Sequence, residues 1–394
     1  MSHPRPGLPR IFVLGLLTAA VPALSQTVAH VYVQSSNATS VTVYDTATTG
    51  RLSKLGTYTL NSTSKLIGGT TTLLFAAGQS SVNVYGQNTI DTYPVATSGG
   101  IGRRTETINT QNYVGSCADP AATSIVSARL DHSSHYMFVR VYNQQNGDCD
   151  QWQTYFIGSN GALTYLGRDE QAPVGYLETI SSSNAFAYAS TEGSPCNSNS
   201  GPEFFAYSRT SDHVLAMNYN FTHKDPASTP ASAYTLWASA DPTDHLAVLM
   251  DDCNNSSGLP AKIASYTINS TTGAISSTNT WSDMPSTLVD SQEPLNSQSI
   301  MYTSMSPSGK LLVVYGGGFQ IFHFKGASPL TQYTGLRRGT DSIGQVAWDN
   351  YNHFYTLDFW GGSLRVYTVT PTSFSLDPGS PVNANGGAIV VVSK

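Results

Sequence analysis

Charged side chains are so scarce in this chain that each one inside a strand is a candidate for chemistry. Asp, Glu, Lys and Arg make up 11% of its 394 residues, against about 25% in an average soluble domain. Two of them, Arg129 and Glu178, fall in alternating apolar segments that run into the polar turns LDHSS and ISSSN. Aligning those turns places both at one position of a repeat, on innermost strands of neighbouring units. An Arg beside a carboxylate suits ester or lactone hydrolysis. That reaction needs a base to activate water, a donor for the developing oxyanion and a group that recognises substrate. The structural alternative is an ion pair that fixes the register of adjacent units, since buried pairs are weak evidence for stability.

Two further constellations have chemical content. Trp237, Tyr302 and Gln345 share another inner-strand position in later units. Rings there could stack on a sugar, or simply pack between units. Asp148, Asp150, Glu192, Asp251 and Asp252 cluster in long loops. Ca²⁺ takes six to eight oxygens, so Asp251, Asp252 and Glu192 are candidate ligands. Their spacing matches no calcium loop, and solvated loop charge is the alternative. No Gly-rich phosphate loop, Ser/His/Asp motif or HExxH zinc motif occurs. His213, His223, His245 and His323 read as turn or surface residues.

These positions have meaning only inside a repeat. A turn between apolar runs recurs as LDHSSHYMFV (130–139), ISSSNAFAY (180–188), ADPTDHLAVL (240–249), MSPSGKLLVV (305–314) and WDNYNHFYTL (348–357). Each is a hairpin signature. A second element also recurs, an alternating segment ending in a ring, at Tyr44, Tyr85, Tyr155, Tyr207, Tyr266, Phe322 and Tyr367. Their mean spacing is about 54 residues, and residues 26–394 divided by seven give about 53. Short alternating strands in units of this length mark a β-propeller. The fold expected is all-β, a seven-bladed propeller of four-stranded antiparallel blades. The rings read as packing between sheets.

The chain ends sharpen this. The first unit starts at AHVYVQSS (29–36), which matches the second strand of the others, so its innermost strand is missing. The last unit is complete near Pro378, yet the chain runs on to GGAIVVVSK (386–394). Ala388 to Ser393 is therefore expected to enter the first blade as its innermost strand and close the ring. Cys149, Cys196 and Cys253 fall in second-to-third-strand loops of consecutive blades, with Cys117 in the connection entering that region. All four should share one face. Four cysteines allow three connectivities; adjacency favours Cys117–Cys149 and Cys196–Cys253.

Composition removes other classes. The net charge is −6, and Arg103–Arg104 and Arg337–Arg338 are the largest basic runs, which argues against nucleic acid as a partner. With 40% hydrophobic and 10% aromatic residues, the chain can build a large core rather than stay disordered. Polarity comes from 50 Ser and 43 Thr. Residues 1–25 read as a secretory signal: Arg5 and Arg10, an apolar run over 11–20, and the small-x-small Ala23-Leu24-Ser25. The expectation is a single domain over 26–394, secreted or periplasmic, monomeric, with no membrane span after cleavage.

The phrases SPSGKLLVVY (306–315) and YTINSTTGAIS (266–276), with a Tyr-ended third strand, resemble the seven-bladed lactonase-type propellers. These include the 6-phosphogluconolactonase-like and YVTN-repeat proteins. The resemblance runs from about His30 to Lys394. It implies the propeller fold and, for an enzyme, cofactor-free hydrolysis of a sugar lactone. The Gly-Pro-Arg-His and Asp-Leu-Gly phrases usual in lactonase members are missing; the nearest residues are His132 and His135. The reading is therefore a binding propeller that uses one face for a carbohydrate or an extracellular protein. The alternative is a sugar-lactone hydrolase working through Arg129 and Glu178.

Overall fold

In a computed structural model, the described residues are 26–394 without the segments 36–38, 61–73, 78–80, 144–148, 170–175, 191–203, 218–222, 253–260, 290–300, 338–341 and 359–361. Residues 116, 118, 182, 225, 231 and 278 are also left out. The signal expected over 1–25 lies outside the described residues. Seven antiparallel sheets form the blades, and two of them gain a short fifth strand. Helix among the described residues is confined to two single 3₁₀ turns, Thr110–Tyr113 and Pro120–Ala122.

From blade 1 to blade 7, the innermost strands are Gly386–Ser393, Leu74–Ala77, Thr123–Leu130, Tyr176–Ile180, Ala233–Ala240, Tyr302–Met305 and Ile343–Trp348. The first of these is the expected closure. Gly386–Ser393 pairs antiparallel with the N-terminal strand Thr27–Ser35, from Ala29 opposite Ser393 to Ser35 opposite Gly386. It reaches two residues further back than Ala388.

The apolar core is divided among the seven junctions between blades. Each apolar cluster draws on two neighbouring blades: Tyr32 with Tyr93, Tyr85 with Tyr155, Phe138 with Tyr207, Tyr188 with Tyr266, Leu249 with Phe322, Val313 with Phe354, and Tyr355 with Tyr44. Six of the recurrent rings sit on third strands as expected. Tyr85 does not. It ends the second strand of blade 2, Ser81–Tyr85, and the third strand Thr89–Pro94 places Tyr93 at the repeat position. All these third-strand rings except Tyr367 are buried, and burial of one such side chain stabilises by about 1.5–3 kcal/mol.

Glycines let the blades approach. In blades 2, 3, 5 and 6, the hairpin joining the third and outermost strands carries Gly99, Gly161, Gly273 or Gly326, all at positive φ. Each lies against a residue near the start of the preceding blade's second strand: His30, Ser81, Phe186 and His245. Blade 4 has no such glycine. His213 takes the left-handed conformation there, with φ 66, and its ring lies 4.6 Å from Tyr136 of blade 3.

A Cβ at Gly273 would overlap the Phe186 ring, and φ 76 is costly for any L side chain. Gly273→Ala is expected to lower unfolding free energy by about 1–3 kcal/mol in urea titration. Gly335→Ala, with nothing within 4 Å, should leave the midpoint in place. Equal midpoints for the two variants would contradict this packing.

Candidate functional site

Innermost strands present their side chains to the channel according to the pleat, in which every second residue faces one way. A one-residue bulge at the same repeat position resets that alternation in blades 3, 5 and 7, at Val126, Leu236 and Gly344. Each stands five residues before the turn residue (Asp131, Asp241, Asp349) whose N–H closes the hairpin. Four residues before the turn come Ser127, Trp237, Tyr302 and Gln345. Two residues before it come Arg129, Thr179, Ser239 and Ser304. The shared position expected for Trp237, Tyr302 and Gln345 is therefore present in the register.

Arg129 and Glu178 do not share a position. Thr179 stands where Arg129 does, and Glu178 is the unpaired residue of blade 4's own bulge, between Leu177 and Thr179. The side chain of Glu178 lies outside the described residues.

These strands line an open cavity of about 270 Å³. Arg129, Thr179, Ser239 and Ser304 contribute one cation and three hydroxyls from four successive blades, and Trp237 and Tyr315 contribute rings. The Arg129 guanidinium carbon sits 5.6 Å from the Trp237 ring centroid, a cation–π distance that spans from blade 3 to blade 5. Trp237 meets Tyr302 edge-on at 4.6 Å, and Tyr302 stacks on Tyr315 at 5.4 Å. Hydrogen bonds set the wall. Thr179 Oγ1 accepts from the Ala240 N–H at 2.9 Å, and the Ser239 and Thr303 hydroxyls are 2.9 Å apart. Arg129 and Trp237 are both half-buried.

Gln345 is used differently. Its side-chain oxygen accepts from Ile389 N–H at 2.8 Å, which joins blade 7 to the closing strand.

Sequence reasoning missed Thr179, Ser239 and Ser304. Their signal was the same turn alignment, read two residues before the turn. Tyr315 had no inner-strand signal, because it arrives from the second strand of blade 6, Leu311–Gly316.

The acidic constellation is elsewhere. Asp251 and Asp252 end the second strand of blade 5, opposite Tyr234 and Ala233. That is five to six residues along the strand from Ser239, about 15–20 Å. Asp251 accepts from the Tyr234 hydroxyl at 3.2 Å, and Asp252 accepts from Ser232 at 2.5 Å. Burial and the Asp251 charge raise the Tyr234 phenol above its ordinary range, so it donates throughout the physiological range. Glu192 and Asp148 lie outside the described residues. Asp150 pairs with the buried Arg140, at 2.9 and 2.7 Å. Among the described residues, no three His, Cys, Asp or Glu side chains gather as metal ligands.

His132 bonds the Ile180 carbonyl at 2.9 Å, bridging blades 3 and 4, and His135 packs on Phe156. Both lie in the turn from innermost to second strand.

Cys117 and Cys149 form the expected disulfide, with Cα atoms 5.2 Å apart. It ties the connection entering blade 3 to that blade's second-to-third-strand loop. Cys196 and Cys253 lie outside the described residues.

Among solved structures with the same fold is a putative 6-phosphogluconolactonase from Bacteroides uniformis, 11% identical with a TM-score of 0.63. The match covers 93% of this chain and 100% of that one. A protein from Lactobacillus plantarum is 12% identical with a TM-score of 0.61, over 93% and 100%. The periplasmic gluconolactonase PpgL of Pseudomonas aeruginosa is 14% identical with a TM-score of 0.59, over 93% and 99%. The fold is thus that of the lactonase-type propellers. By sequence, no family profile and no curated protein matches the chain. No helix among the described residues is long and apolar enough to cross a membrane.

The disulfide closes a 32-residue loop, and a cross-link of that span stabilises by about 2–4 kcal/mol. Replacing both Cys117 and Cys149 with Ser should lower the urea midpoint accordingly and leave Trp237 fluorescence unchanged. A matching loss of the Trp237 signal would contradict the separation of loop and cavity.

Proposed function

We propose that the protein is an exported binding propeller that holds a small polar ligand in the channel cavity among blades 3 to 7. A sugar or sugar acid is the ligand class. The observation that carries this reading is the placement of Arg129 against Trp237 beside three hydroxyls at one repeat position. A guanidinium supplies directional donors to carboxylate or hydroxyl oxygens. An indole offers an apolar face to C–H groups, and hydroxyls both donate and accept. A volume of about 270 Å³ suits one such ring, slightly below the usual span for drug-sized pockets.

The second reading is a sugar-lactone hydrolase. It is supported by the fold shared with a putative 6-phosphogluconolactonase and a periplasmic gluconolactonase, and by Arg129 as an electrophilic donor. It needs a base. The described lining of the cavity offers no carboxylate or imidazole, so that role falls to Glu178 at the neighbouring bulge. The binding reading rests on fewer assumptions.

Titration calorimetry with gluconate, glucose and glucono-δ-lactone separates the two. Binding should appear for at least one, and weaken by about tenfold or more in Arg129→Met, the loss of a charge-assisted contact, and in Trp237→Ala, the loss of the apolar face. A pH-stat trace on the lactone should match buffer. Lactone turnover abolished in Glu178→Gln would instead establish the hydrolase. Binding unaltered by both cavity substitutions would reject the site.

A further inference from the structure

The junction of blades 7 and 1 carries a buried group of titratable side chains that the cavity does not use. Asp349, His353 and Asp377, all from blade 7, are 2%, 1% and 4% exposed. His353 Nδ1 lies 2.6 Å from Asp349 Oδ2, and the same oxygen accepts from the Tyr355 hydroxyl at 2.9 Å. Tyr355 also reaches the Thr46 hydroxyl of blade 1 at 3.0 Å. Asp377 Oδ1 accepts from Thr368 at 2.6 Å. Its Oδ2 is buried without a hydrogen bond and lies directly beneath Gly50, in the hairpin of blade 1. A side chain at Gly50 would overlap that carboxyl. The groups facing the imidazole are therefore the Asp349 and Asp377 carboxyls and the Tyr355 phenol from blade 7, with the Thr48 carbonyl from blade 1.

Corresponding places at other junctions are simpler. Gly161 covers Ser81 and Gly273 covers Phe186. Gly99 covers His30, whose partner Asp45 is 26% exposed, and Gly326 covers His245, itself 25% exposed beside Asp241. Among the described residues, two carboxyls and one imidazole are fully enclosed together only where blade 7 meets the closed blade.

We infer that this junction is a pH-sensitive latch, tight in mild acid and weakened as pH rises past neutrality. With the imidazole and the Asp377 carboxyl both protonated, the enclosed set holds an imidazolium against the Asp349 carboxyl it bonds. Loss of the two protons to solvent leaves two enclosed carboxylates around a neutral ring. Desolvated like charges without a cation oppose burial.

The direction of each titration agrees. Burial alone would push His353 down, but the hydrogen bond and charge of Asp349, with Asp377 and the Thr48 carbonyl, hold it above its ordinary value. Burial pushes the Asp377 carboxyl up, against the lowering by Thr368 and His353. A raised His contributes stability below its unfolded value of about 6.5, and that stability is lost as pH rises through its folded value. A raised carboxyl likewise favours the fold below its unfolded value of about 3.9, and loses that contribution as pH climbs through its folded value. Both slopes run downward with pH.

The test is the thermal midpoint of the full chain from pH 3.5 to 8.5, for wild type, Asp377→Asn and His353→Gln. Wild type should fall by about 2–4 °C or more across neutrality. Asp377→Asn should unfold close to wild type at pH 3.5 and gain on it as pH rises. His353→Gln should unfold below wild type at pH 5.5 and converge on it at pH 8.5. Charges elsewhere cancel in these differences. A gap between Asp377→Asn and wild type that is constant with pH, or that favours wild type at pH 8.5, overturns the latch, even if His353→Gln does not fold.

Discussion

Seven backbone pairings between the last strand and the first, Ala29 with Ser393 through Ser35 with Gly386, turn seven sheets into a ring. No covalent bond spans that seam. Without it, blade 1 would lack its innermost strand and blade 7 would lose the face covered by Val31, Val33 and Tyr44. An unclosed ring also exposes strand edges, which invite pairing with other chains. The channel cavity inherits the same dependence. Its wall is one strand from each of several blades, and those strands face one axis only while the ring is closed. Gln345 ties the two levels together, because it stands at the repeat position of Trp237 and Tyr302 yet bonds the closing strand.

The low charge of the chain follows from this construction. Apolar clusters occupy every junction, so most strand positions face another sheet on both sides, and turns are built from Ser, Thr, Asn and Gly. The charges that remain inside are held by partners. Arg140 is paired with Asp150, Arg365 with Asp358, and Arg209 lies over Tyr136 while reaching Asp131. Such pairs are costly to bury and strongly destabilising to break singly. Arg129 stands at the cavity wall, half-buried against an indole.

Much of the fold could be read from the residues, because a propeller repeats its hydrophobic pattern seven times and errors in one unit are corrected by the rest. Blade count, closure and the Cys117–Cys149 bridge follow from that periodicity. Individual placements fail where a local feature breaks the period. SVNVY and SVTVY look alike, yet the first is a second strand, since blade 2 follows it with another alternating segment that carries Tyr93. Counted back from the closing residue of the hairpin, Glu178 stands three places before Ser181 and Arg129 two before Asp131, so Glu178 lands one place from Arg129, on a bulge. Of the candidate site, Arg129 and Trp237 were legible as rare residue types on inner strands. Thr179, Ser239 and Ser304 were hidden by composition, because hydroxyls are everywhere in this chain. Tyr315 belongs to another strand layer, and a one-dimensional pattern does not report which second-strand side chains reach the axis.

Closure by the C-terminal strand is the central claim, and shortening the chain tests it most directly. A protein ending at Asn385 retains six complete blades and removes only the innermost strand of blade 1. Calorimetry should then show loss of the single cooperative transition, with the transition restored by adding a peptide of residues 386–394. A truncated chain that unfolds cooperatively at the full-length midpoint would contradict the account.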